Sequence, residues 1–79
     1  ANQMVDLIKE FKVLRRDQGF SQKQLAKGTG VSEITVYTWE AHTREPTIAN
    51  FNKVLNKMGY QLKIEPIDQQ TNASVQQVV

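Results

Sequence analysis

Seventy-nine residues suffice for one small domain, and a domain of this size buries only about 60–65% of its unfolded surface, so dimerisation would add to a thin stability margin. The chain has no cysteine and one histidine, His42, which excludes disulfides, Cys-based metal sites and a His-rich zinc site. No apolar run approaches the about 18–20 residues of a membrane span and no signal peptide is visible, so a soluble cytoplasmic protein without a membrane partner is expected. Net charge is only +2, but residues 1–63 hold all ten Lys and Arg against six acids, and Glu65 and Asp68 follow. A basic body is compatible with a polyanionic partner.

Met4, Leu7, Ile8, Phe11 and Leu14 recur at the spacing of an amphipathic helix. Gly19 is placed to end it. Ser21 then reads as an N-cap, with Gln24 three residues on as in a capping box. Phe20 and Leu25 form a hydrophobic staple. A second helix is expected from about Gln22, with Gln22, Leu25, Ala26 and Thr29 facing inward. Gly30 interrupts it, and the pattern repeats. Ser32 is a second N-cap, and Val31 and Val36 make a second staple, which predicts a third helix from about Glu33 to Ala41. Two short helices joined by a glycine-containing turn form a helix-turn-helix. Glycine suits that turn because it adopts positive φ freely.

Glu45 before Pro46 favours extended backbone. Thr47 caps a fourth helix with apolar positions Ile48, Phe51, Val54, Leu55 and Met58, stopped by Gly59. The period then changes. Tyr60, Leu62 and Ile64 alternate with Gln61, Lys63 and Glu65, as in a strand with one buried face, and Pro66 closes it. A lone strand cannot satisfy its own hydrogen bonds and needs a partner. Residues 67–79 are polar, Gln-rich and aperiodic, and read as a flexible arm.

On a helical wheel, Val36, Trp39 and Glu40 share one side of the third helix, with Thr35 at its edge. Glu33, Ile34, Tyr37 and Thr38 share the other. The first side suits a core, so the second faces out and presents apolar groups among hydrogen-bonding ones, as a contact surface does.

Residues 22–41, QKQLAKGTGVSEITVYTWEA, resemble the helix-turn-helix of the phage repressor/Cro (XRE-like) family. Gln22 matches the motif's first position, Ala26 its fifth, Gly30 its ninth and Val36 its fifteenth. Leu14 and Arg15 upstream, and Trp39, Glu40 and Pro46 downstream, extend the resemblance over about residues 7–59. Gly28 departs from the pattern, and as a helix residue it costs roughly 1 kcal/mol against Ala. The resemblance implies a mainly α, four-helix, lambda-repressor-like domain over residues 4–59. It further implies that Glu33, Ile34, Tyr37 and Thr38 read bases in the major groove of double-stranded DNA. Glu33 would accept from a cytosine amino group and Ile34 would pack on a thymine methyl. Ser21, Gln22, Lys23, Ser32, Thr43 and Arg44 match phosphate-binding positions. Arg15 and Glu40 match an ion pair of that family that ties the first helix to the third, Arg15 also lying within reach of phosphate.

Blander readings stand beside these. A carboxylate at Glu33 repels phosphate and also suits a helix N-terminus. Tyr37 is also compatible with a solvated amphipathic side chain. Trp39 is core, His42 a surface residue, and the stripe Tyr60, Leu62, Ile64 is either a dimer interface or a segment folded onto its own domain. No phosphate loop, nucleotide fingerprint or metal cluster is present, and a nucleophile lacks a converging base and orienter, so neither enzyme activity nor a cofactor or metal is expected.

The expectation is therefore a homodimeric DNA-binding regulator, most simply a repressor. Residues 60–66 would form a strand that pairs two copies in an antiparallel intersubunit sheet. Two identities fit, a phage Cro or repressor-like regulator and the antitoxin of a toxin–antitoxin pair of the Hip or Hig type. The latter implies a toxin protein as a further partner. The alternative from another class is a protein-interaction module that uses Ile34 and Tyr37 to grip a protein and binds DNA weakly and nonspecifically.

Overall fold

The computed structural model describes residues 3–67. It contains four helices: α1 (Gln3–Asp17), α2 (Gln22–Ala26), α3 (Glu33–Glu40) and α4 (Ile48–Lys57). Among the described residues there is no strand, and no helix is long and apolar enough to cross a membrane. The arm expected at residues 67–79 lies outside the described residues except for Ile67.

Local sequence sets the helix ends. Ser21 Oγ accepts from Gln24 N–H at 3.0 Å, and Gln24 Oε1 accepts from Ser21 N–H at 2.9 Å, which closes the capping box. Ser32 Oγ accepts from Thr35 N–H at 3.1 Å, and Thr47 Oγ1 from Asn50 N–H at 3.2 Å. Three helices end alike. Gly19, His42 and Gly59 follow α1, α3 and α4 with positive φ. Each N–H bonds back three residues and the next N–H bonds back five, to Arg16 and Arg15, Trp39 and Thr38, Asn56 and Leu55, all at 3.0 Å. This paired closure satisfies carbonyls that a helix end leaves without partners.

The core gathers the inward stripes of all four helices. Ile8 and Phe11 come from α1, Leu25 and Ala26 from α2, Val36 and Trp39 from α3, and Phe51, Val54 and Leu55 from α4, joined by Val31 and Met58. Phe11, Trp39 and Phe51 form an aromatic cluster with centroids 5.2–6.2 Å apart, two of the three pairs edge to face. Such pairs contribute about 0.5–1.5 kcal/mol each beyond burial. They fix α1, α3 and α4 against one another.

Three expectations change, and the strand expected at residues 60–66 is not formed within one chain. α2 stops at Ala26, so Thr29 lies in the turn. Its hydroxyl donates to Ala26 C=O at 2.7 Å and accepts from Val31 N–H at 3.1 Å. Gly28 has φ +80° and lies beyond the helix. It is a turn residue, not a weak link in a helix. Ile48, placed on the apolar stripe of the fourth helix, is the first residue of α4 and is 75% exposed, while Phe51, Val54 and Leu55 are buried. Residues 60–67 carry no regular structure: one chain offers no second strand to pair with. Leu62 instead packs partly on its own core, and its N–H donates to Asn52 Oδ1 of α4 at 2.8 Å.

Candidate nucleic-acid interface

α3 is anchored from below and open above. Val36, Trp39 and Glu40 are buried and Thr35 is half-buried. On the other face Glu33 is exposed, Ile34 is 74% exposed and Tyr37 58%. Two apolar side chains are thus held in water by a helix whose other side is fully used. Thr38 is half-buried beside them. Its hydroxyl donates to Thr35 C=O at 2.7 Å, which leaves the oxygen available as an acceptor.

A polar node fixes the tilt of this helix. The Arg15 guanidinium donates from Nε to Glu40 Oε2 at 2.7 Å and from Nη2 to Oε1 at 2.9 Å. Its Nη1 donates to Phe20 C=O at 2.7 Å. Gln22 Nε2 adds a bond to Glu40 Oε1 at 3.0 Å. One buried carboxylate thereby joins α1, the turn after it, the start of α2 and the end of α3. Bidentate charge-assisted bonds of this type are directional as well as strong. Each nitrogen of Arg15 is engaged inside the protein, and the Gln22 amide is tied to Glu40.

Ser21, Gln22 and Lys23 stand together at the start of α2, and Ser32 at the start of α3. The Ser21 and Ser32 hydroxyls are occupied as caps. The N–H groups of Gln22, Lys23, Glu33 and Ile34 open their helices and have no intrahelical acceptor, the arrangement that binds anions. Thr43 and Arg44 fold over the far end of α3. Their N–H groups donate to Thr38 C=O at 3.0 and 3.3 Å, and the Thr43 hydroxyl donates to the same oxygen at 3.2 Å. The positions expected to face bases and phosphates are thus contiguous along α3 and at both its ends. Tyr60, Leu62 and Ile64 lie apart from them, over hollows lined by α1 and α4 and by no residue of α2 or α3. Among the described residues, no three His, Asp or Glu side chains gather as a metal site would require.

Two lysines escaped the sequence reading. Lys27 shares a shallow hollow with Lys23 and Glu33 beside the turn, and is exposed there. Its signal was a basic residue directly before Gly28. Lys57 reaches from α4 to α2, where Nζ donates to Gln24 C=O at 2.5 Å and Lys27 C=O at 2.6 Å and lies 5.8 Å from the Phe20 ring centroid. A cation at the C-terminal end of a helix meets both its free carbonyls and its dipole. No pattern within the sequence marks so distant a partner.

No curated protein and no solved structure matches the chain. A helix-turn-helix family model of the Cro/C1 type matches residues 11–64, from the middle of α1 through α4 and into the segment that follows. That family comprises DNA-binding regulators and is not enzymatic. With α2, the glycine turn and an outward-facing α3 in the geometry just described, the chain belongs to the Cro/C1-type (XRE-like) helix-turn-helix family.

Proposed function

We propose that the protein is a cytoplasmic, sequence-specific transcriptional repressor that reads an inverted-repeat operator as a homodimer. The observation that carries this is the outer face of α3, where Ile34 and Tyr37 are exposed on a helix fixed by the Arg15–Glu40–Gln22 node. A rigid helix with four outward side chains suits the major groove. Glu33, Ile34, Tyr37 and Thr38 read bases. Lys23, Arg44 and Thr43, with the N-termini behind Ser21, Gln22 and Ser32, hold the flanking phosphates. Pairing of residues 60–66 between two copies supplies the two-fold symmetry that sets half-sites about 34 Å apart. Bound there, the dimer would occlude a promoter.

Within this class the antitoxin identity is favoured over the phage regulator. The support is that α4 is followed by a short non-helical segment, with no fifth helix among the described residues. A toxin protein is then a second partner. One observation favours the competing protein-interaction reading, namely Glu33, whose carboxylate is exposed on the same face as Ile34 and Tyr37.

Selection of bound sites from a random duplex library separates the readings. An enriched inverted repeat with half-sites one helical turn apart is expected. Binding that enriches no motif would sink the specific-regulator reading and leave a protein partner for the outer face of α3.

A further inference from the structure

In a strand, the N–H and C=O groups of even-numbered residues leave by one edge and those of odd-numbered residues by the other. Leu62 N–H donates to Asn52 Oδ1 of α4, so the even edge of residues 60–66 faces its own domain. The odd edge carries Gln61, Lys63 and Glu65. All three are exposed, and among the described residues their backbone groups have no partner. Pro66 falls on the even edge, where its missing N–H would break no ladder bond. The side chains divide in the same way. Leu62 packs on the core, whereas Ile64 is 98% exposed at the rim of an apolar hollow lined by Met4, Leu7, Ile48 and Leu62.

We infer that a second copy of the chain pairs with this odd edge, antiparallel, about a two-fold axis through Ile64. An isologous contact must complement itself, and the alternation of charge around Ile64 selects one register. An axis through Lys63 sets two lysines directly opposite each other, which is destabilising. An axis through Leu62 pairs Lys63 with Gln61 and leaves Glu65 without a cross-strand partner. An axis through Ile64 places Lys63 of each copy opposite Glu65 of the other, twice over. It also brings the two exposed Ile64 side chains together above the apolar hollows. Shifting by one residue exchanges this for like-charge contact, so the pattern specifies register as well as affinity. The inference rests on the dimer of the proposed function and is independent of DNA binding.

The chain has no cysteine, so single-cysteine variants of the full chain report cleanly. Opposite Ile64 positions form a non-hydrogen-bonded pair with Cα atoms about 4.5 Å apart, within disulfide range. Mild oxidation without DNA is expected to cross-link Ile64→Cys faster than Leu62→Cys or Lys63→Cys. Lys63→Glu and Glu65→Lys, both at exposed positions that leave the fold intact by circular dichroism, should each weaken the dimer by roughly tenfold in sedimentation. The double variant Lys63→Glu/Glu65→Lys should regain wild-type dimerisation. Fastest cross-linking at Leu62→Cys or Lys63→Cys, or a double variant no tighter than the singles, overturns the register while leaving the dimer standing. A wild-type chain that sediments as a monomer at every concentration overturns both. Neither result touches the DNA-binding reading, which site selection tests separately.

Discussion

Gly28 illustrates how one residue type carries opposite meanings. Inside a helix it would be a liability, and replacing it with Ala would stabilise by about 1 kcal/mol. In the structure α2 has already ended, and Gly28 sits at φ +80° in the turn. A Cβ there would meet nothing within 4 Å, so only the backbone conformation opposes substitution. Left-handed backbone costs a non-glycine residue about 1–2 kcal/mol. Gly28→Ala should therefore lower stability by about 1 kcal/mol, read as an earlier midpoint in urea. A later midpoint would restore Gly28 to the helix. His42 supplies the reverse case. It holds φ 60° at the position that Gly19 and Gly59 fill after α1 and α4. His42→Gly should raise stability by roughly 0.5 kcal/mol, the relief of strain net of the entropy glycine loses on folding. The same denaturation measurement checks it. The sequence places the turn at Gly30 and leaves Gly28 inside the helix. It does not show that the helix ends before Gly28, because that end is held by Lys57, which reaches the Gln24 and Lys27 carbonyls from α4.

Elements were legible where their signals are local. The caps at Ser21, Ser32 and Thr47, and the stops at Gly19 and Gly59, lie within a few residues of the ends they define. What holds the elements together was less legible. α2 has five residues and cannot persist alone, since isolated helices below about 12 residues are marginal even at best. It is clamped at its start by Gln22 on Glu40 and at its end by Lys57 on two carbonyls. The Arg15–Glu40 pair follows from family resemblance, but the share of Gln22 in it does not, because its inward placement names no acceptor on a helix eighteen residues away. The node gives a sharp energetic test. Side chains of Arg15 and Glu40 are 11% and 4% exposed. Removing one partner leaves an uncompensated buried charge, so Glu40→Leu should cost about 3 kcal/mol, whereas Arg15→Met/Glu40→Leu together should recover most of it. If the node orients α3, the double variant regains urea stability yet binds the selected operator more weakly than wild type. Full recovery of both would reduce the node to a packing device.

At the scale of the whole molecule, the chain offers DNA a modest charge, and its distribution matters more than its sum. The positive balance of residues 1–63 is carried partly by groups already spent inside the fold. Arg15 is neutralised by Glu40, and Lys57 is committed to helix carbonyls. Lys23, Lys27 and Arg44 are exposed near α2 and α3 with no internal acidic partner among the described residues. Affinity then depends on few cations per copy, doubled by symmetry. Each phosphate neutralised adds about 0.9 to the slope of log affinity against log salt. Lys23→Gln should therefore reduce that slope by roughly 2 in a dimer, weakening operator and random duplex alike. Tyr37→Ala should behave in the opposite way, lowering affinity for the operator while leaving the salt slope and the random-duplex affinity unchanged, because it removes the proposed base contact and no charge. Titrations of both variants at several salt concentrations separate the two roles. A salt slope that falls by only 1 with Lys23→Gln would mean that one copy of the chain engages DNA at a time. The two-fold symmetry proposed through Ile64 would then serve some purpose other than reading two half-sites.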